Sequence, residues 1–369
     1  MSNLNFLHSG GNKVTLSAPA SNPSSDITFK LPQADGSTGE FLKTDGSGAL
    51  SFGTPTSTKN YIINGAMQIA QRGTSSTSNG FGSLDRWYNN LSGGSATFSQ
   101  ETNSNPSETG GIQKYARLNV SSSSDFTGIR QRIEDVTSVP AGTVTLSFYA
   151  KGTAPVGGLY VYTTQDFGSG GSSDVDGTPV LITSSLTSSW VRYTAQISVG
   201  SVDGKTIRAG SFFQVTISQG SNSSSTAYDL NITGVQVEAG DTATSFEHRS
   251  FGDELQRCKR YFQIIADGRD HANEVFATAH AWNSVQAEVC LRWNVEMRAA
   301  PDLEQGVGSN YYHVLINGVN KYTNQWIAYN FTTRSGMIYN TNFTGLSGGT
   351  AYRAKINNAS AYLHLNAEL

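Results

Sequence analysis

Between residues 95 and 240 the chain repeats one pattern: short runs of alternating apolar and polar side chains, separated by Gly, Ser, Asn or Asp. SATFSQE, QKYARLNVS, GIRQRIED, GTVTLSFYAKG, GGLYVYTTQ, WVRYTAQISV, SFFQVTISQG and AYDLNITGVQVEAG succeed one another in this way. Alternation with a period of two sends one set of side chains to each face of a strand, so each run predicts a half-buried strand. About eight such strands over ~185 residues predict two packed antiparallel sheets closed as a jelly roll. The pattern resumes after Gln263 in EVFATAHAW, VQAEVCLRW, YYHVLING, NQWIAYNFTT, RSGMIYNTNF, GTAYRAKINN and AYLHLNAEL, a second and smaller sandwich. Composition agrees with an all-β chain: 39 of the 369 residues are Gly and only 14% are charged, so the common helix formers are scarce. Recurrent aromatics within the strand patterns argue against disorder.

One stretch breaks the pattern. Residues 250–262, SFGDELQRCKRYF, place Phe251, Leu255, Cys258 and Phe262 at i, i+4, i+7 and i+11, an apolar stripe on a helix. Ser250 is placed to cap the first turn, with Asp253 and Glu254 near the start and Arg257, Lys259 and Arg260 near the end, as the helix dipole favours. These four apolar residues are read as a structural junction. The expected organisation is an N-terminal segment 1–57, a jelly roll 58–248, a linker helix 249–263 and a C-terminal sandwich 264–369. In the first segment FLKT and ALSF flank Asp45-Gly46, a hairpin signal, but little apolar surface is available for a core of its own. Residues 60–73 are ambiguous between strand and helix.

Four stretches resemble bacteriophage tail fibre and receptor-binding fibre proteins. VTL…APA…ITFKLP…DGSTGEFLKTDGSGALSF is similar to a module near the attachment end of such fibres. INGAMQIAQRG…DRW resembles the start of their jelly-roll module. VQVEAGDTATSFEHRSFGDELQRCKRYF resembles their junction, with Ser245 where the family often has Pro, and LHLNAEL resembles their closing strand. The strands LSFYAKG and WVRY also resemble carbohydrate-binding-module jelly rolls. The resemblance implies a non-enzymatic, homotrimeric virion fibre assembled in the host cytoplasm. It implies attachment to other tail or virion proteins through the N-terminal segment, and binding of a host surface glycan. The alternatives are a structural virion component, such as a head fibre, decoration protein or tail adaptor, and a polysaccharide depolymerase.

Sugar binding asks for exposed aromatic faces beside hydrogen-bonding side chains. Tyr160 and Tyr162 share one face of a strand, and Tyr311, Tyr312, Tyr322, Trp326 and Tyr329 crowd one region of the last unit, so these seven are the glycan-contact candidates. Trp87 and Trp190 are assigned to the core. Depolymerisation would need two carboxylates at suitable separation. Glu134 and Asp135 point to opposite faces, while Glu238, at a strand end, and Asp241, in the following turn, suit solvated or capping roles. Asp166, Asp174 and Asp176 surround the loop DFGSGGSSDVDGT, which has some calcium character, yet a full ligand series is lacking and a solvated loop is the preferred reading. His8, His248, His271, His280, His313 and His364 show no paired metal spacing, and no sequence pattern calls for a cofactor. A net charge of −3 gives no electrostatic footprint for nucleic acid. The N-terminal residues lack a signal-peptide pattern, and no apolar run approaches the ~20 residues of a membrane span. Cys258 and Cys290 are expected to be free and buried.

Overall fold

The computed structural model describes residues 4–7, 9–16, 24, 26, 28–36, 41–44, 47–53, 60–91, 93–122, 127–153, 155, 157–220, 227–269, 273–316 and 318–369. The chain divides into two compact units, residues 1–58 and 59–369. The first unit contains two antiparallel pairs, Leu4–Leu7 with Lys13–Leu16 and Phe41–Thr44 with Leu50–Gly53. The second pair is the expected hairpin, although its Asp45-Gly46 turn lies outside the described residues. Phe29, Leu31 and Leu42 are exposed, in keeping with the meagre apolar content of this segment.

The second unit is all-β apart from one α-helix among the described residues. Its first part has two facing sheets. One runs in the order Val191–Val199, Gly142–Thr153, Tyr228–Ala239, Lys114–Ser122, Ser95–Thr102 and Ser75–Ser76. The other runs Val175–Asp176, Leu159–Asp166, Phe212–Gln219, Thr127–Glu134 and Tyr88–Leu91, with Val180–Thr183 also paired to Leu159–Asp166. The inward positions of both sheets meet in one core that includes Trp87, Phe98, Phe148, Phe213 and Val237. Trp190 is also buried, and its indole donates to Asn103 Oδ1.

The second part pairs a three-stranded sheet (Phe262–Asp267, Tyr362–Asn366, Asp302–Gln305) with a seven-stranded one. The latter runs Val319–Thr323, Tyr312–Ile316, Ala351–Ile356, Val275–Ala281, Ala287–Arg292, Ser335–Asn340 and Ile327–Tyr329. Its core gathers Tyr312, Val314, Trp326, Ile338, Phe343 and Leu363, separate from that of the jelly roll.

Between the two lies the helix Phe251–Lys259. Ser250 Oγ accepts the Asp253 amide at 3.2 Å, as its sequence implied. The apolar stripe is realised only in part. Cys258 is fully buried, Leu255 is half-buried and Phe251 is 58% exposed, while Phe262 is buried on the following strand rather than on the helix. The second buried helical side chain is a charged one, Glu254, which accepts the Asn64 amide and pairs with Arg249. Both cysteines are free, but Cys290 is exposed, because it falls on the outward-facing half of its strand.

Residues 60–73 form neither strand nor helix but a compact irregular turn. Asn64 and Met67 adopt left-handed backbone conformations with φ of 58° and 57°. The fully buried Asn64 side chain accepts the Ile69 amide and donates to the Ile69 and Asp85 carbonyls, replacing the missing ladder bonds. Beside it sits Asp85. Burial raises its pKa to about 6, against the charge of Arg72 and the hydrogen bonds from Gln71. The folded form therefore holds a proton that the unfolded chain has released between about pH 4 and 6, so stability falls as pH rises across that window. In urea titrations at stepped pH, Asp85→Asn is expected to flatten this slope; an unchanged slope would assign it to other groups.

Candidate functional site

The outer face of the sheet containing Leu159–Asp166 is built by strict alternation. Leu159 and Val161 point into the core, while Tyr160 and Tyr162 stand half-buried on the outside with ring centroids 6.1 Å apart and planes tilted by 34°. Register continues this row across the sheet: Tyr162 lies opposite Thr216, Thr216 opposite Arg130, and Arg130 opposite Tyr88. The Arg130 guanidinium lies 4.1 Å from the Tyr88 ring centre. Its Nε is buried without a hydrogen-bond partner. A second row holds Asp176, Thr164 and Gln214. Thr164 Oγ1 donates to Asp176 Oδ1 at 2.7 Å, and Gln214 accepts from Arg132 and donates to Thr216 Oγ1.

Of these, Tyr162, Arg130, Thr164, Asp176, Gln214 and Thr216 line an open cavity of about 370 Å³, which also includes Asn90 and Pro179, whereas Tyr160 lies outside it. The cavity offers an aromatic face, two amides, threonine hydroxyls, a guanidinium and a carboxylate. Donors and acceptors thus surround a ring-sized platform, the combination a polyhydroxylated ligand needs. Sequence reasoning found Tyr162 but not Arg130, Gln214 or Asn90, which reach the cavity through cross-strand register, nor Thr164, two residues further along the same strand.

The tip aromatics are not one cluster. Tyr312 is fully buried, and its hydroxyl, with one proton to donate, lies within hydrogen-bond distance of the carbonyls of Gly306 at 2.8 Å and Tyr362 at 2.7 Å. Trp326 is also buried, packed among Phe276, Tyr312 and Phe343. Both are core residues and unavailable for contact with an external sugar, a correction to the expectation from sequence. Tyr311 is half-buried against the same core. Tyr322 and Tyr329 are exposed, but they sit on opposite edge strands of the seven-stranded sheet. Tyr322 lies against the buried His313 ring at 5.5 Å, and Tyr329 meets Tyr339 edge-on. The exposed Trp282, at a hairpin tip after Val275–Ala281, was missed; its place between two strand patterns was the available signal.

The nominated carboxylates have structural partners. Glu134 binds Arg260 in bidentate fashion and accepts from Tyr261. Glu238 is buried rather than solvated, bound by Gln236 and by the Thr244 amide. Asp241 accepts from Thr242 Oγ1. Asp166 accepts the Gly168 amide, and Asp176 is held by Thr164. Burial, then the charges of Asp166 and Asp176, raise the pKa of Asp174. Among the described residues no group of three or more His, Cys, Asp or Glu is arranged to hold a metal ion. His8 and His271 lie outside the described residues.

No protein-family model and no curated protein matches the chain. Several solved structures match about half of the chain at low similarity. The enzymatically active domain of bacteriophage CBA120 tailspike protein 4 is 12% identical with a TM-score of 0.30, over 48% of this chain and 21% of that one. A protein from Bacteroides thetaiotaomicron described as a "putative sugar binding protein" is 13% identical with a TM-score of 0.34, over 49% and 99% of the two chains. The N-terminal cellulose-binding domain of Cellulomonas fimi β-1,4-glucanase C is 14% identical with a TM-score of 0.28, over 47% and 100%.

Proposed function

We propose that the chain is a fibre component of a bacteriophage virion that recognises a host surface glycan without cleaving it. The observation that carries this reading is the cavity on the outer sheet face, where Tyr162 lies beside Arg130, Gln214 and Asp176. A pyranose ring stacks on the tyrosine, and its hydroxyls exchange hydrogen bonds with the flanking polar groups. A single site of this kind binds weakly. Homotrimerisation, and attachment through residues 1–57 to other virion proteins, multiply such contacts into useful avidity. The motif resemblances at both ends of the chain support the virion setting.

A structural virion role without glycan binding is the second reading, favoured by the exposed Phe29, Leu31 and Leu42 of the N-terminal unit, which suit a protein partner. A glycan array probed with the full chain tests both, alongside a reducing-end assay. The expected result is binding of a defined glycan set without reducing-end release, weakened about tenfold by Tyr162→Ala because ring stacking is removed. The melting temperature should move little, since Tyr162 is only half-buried. Silence from folded wild-type protein overturns the recognition reading in favour of the structural role. Release of reducing ends overturns the non-enzymatic one.

A further inference from the structure

A second open cavity, of about 420 Å³, lies where the jelly roll meets the C-terminal sandwich. Arg72 and Phe81 reach it from one side, and Asp267, Glu304, Tyr362 and His364 from the other. Its volume falls within the roughly 300–1,000 Å³ of small-ligand pockets. Three of its lining side chains are charged or titratable and more than nine-tenths buried: Arg72, Asp267 and His364 are 8%, 3% and 8% exposed. Burying such groups beside an open cavity costs desolvation without a clear return in stability.

Their bonding is incomplete in a specific way. Arg72 gives Nη1 to Glu368 at 3.2 Å and lies over the Phe262 ring, yet its Nη2 has no partner. His364 Nε2 meets Asp267 Oδ2 at 3.2 Å, which places the proton on Nε2 and leaves Nδ1 as an acceptor. Burial lowers the pKa of His364 and favours this neutral form. Glu304 accepts from Asn366 through Oε1, leaving Oε2 as a further acceptor. The Tyr362 ring packs on His364 at 4.6 Å, and Phe81 supplies a second aromatic wall.

We propose that this crevice is a second binding site, taking one neutral monosaccharide unit, and separate from the outer face of the jelly roll. The Glu304 and His364 acceptors match the donating hydroxyls of a sugar ring, and the aromatic walls match its apolar faces. An acidic sugar is disfavoured. The positive charges of Arg72 and Arg269 are already paired with Glu368 and Asp267, whereas Glu304 adds an uncompensated carboxylate. The proposal does not rest on the glycan reading of the outer sheet.

Saturation-transfer NMR on the full chain tests it, with methyl β-galactoside, methyl β-glucoside, N-acetylglucosamine and glucuronate as probes. The variants are Glu304→Gln, Ala359→Trp and Tyr162→Ala. Ala359 is an exposed residue on the cavity wall, so its tryptophan variant fills the crevice without disturbing the buried cluster. The expected result is transfer to at least one neutral probe, with Kd raised about tenfold by Glu304→Gln, abolished by Ala359→Trp and unchanged by Tyr162→Ala. Transfer insensitive to both crevice variants, lost with Tyr162→Ala alone, or strongest for glucuronate overturns the proposal, as does the absence of transfer to every neutral probe. Loss of array binding in Tyr162→Ala with crevice binding intact separates the two sites.

Discussion

Replacing Arg86 with Ala is expected to cost about 3–5 kcal/mol, because the buried Glu368 carboxylate then keeps only Arg72 as a partner and the Arg132 carbonyl loses its donor. The Arg86 side chain is 1% exposed and bonds Glu368, whose own side chain is 4% exposed. Its other terminal nitrogen donates to the Arg132 carbonyl, and the guanidinium lies 3.5 Å from the Tyr261 ring centre. Arg86 follows Asp85 in the jelly-roll opening, Tyr261 ends the helical junction, and Glu368 is the penultimate residue. One side chain thus joins three distant stretches of the chain. Urea denaturation provides the measurement, with Arg86→Met combined with Glu368→Gln as the control. Removing both costs less than removing Arg86 alone, although Glu368→Gln also takes from the buried Arg72 its charged partner. A loss below ~1 kcal/mol in Arg86→Ala would refute this account of the seam.

Trp326→Ala should be similarly damaging, at about 3–5 kcal/mol, through the cavity left between Phe276, Tyr312 and Phe343. Tyr329→Ala, three residues on and half-exposed, should stay within about 0.5 kcal/mol. Thermal melts of the two variants compare them directly, and a glycan array on the same samples should show no loss of specificity for either protein that remains folded. Equal and small effects would return Trp326 to the surface. Loss of array binding in a folded Trp326→Ala protein would restore it as a contact residue.

These two variants also mark where reading a sequence works and where it stops. Each of the eight runs between residues 95 and 240 appears as a strand within one or two residues of its sequence limits, from Ser95–Thr102 to Tyr228–Ala239. Alternation is a local signal, and a strand facing a core on one side only must obey it. The Ser250 cap was legible for the same reason, since donor and acceptor lie three residues apart. The aromatic cluster of the last unit was not. Tyr322, Trp326 and Tyr329 are close in sequence, but the chain passes from one edge of the seven-stranded sheet to the other between them and turns Trp326 inward.

The outer sheet site was half legible. Tyr160 and Tyr162 share a strand, whereas Arg130 and Gln214 arrive through register with Thr127–Glu134 and Phe212–Gln219. Register is a pairwise property of strands far apart in the chain, and alternation constrains only which face a residue takes.

The amino-acid sequence by itself determined an all-β chain, the alternating strands between residues 95 and 240 and most of those after residue 273, and a capped helix between them. Each depends on residues within a few positions of one another. Only the tertiary structure decided that the jelly-roll opening, the helical junction and the closing strand meet at one seam. Arg86 and Glu368 are 282 positions apart, and Asn64 and Glu254 are 190 apart. Such pairs form only once folding excludes water and leaves each buried charge or amide the other as its nearest partner.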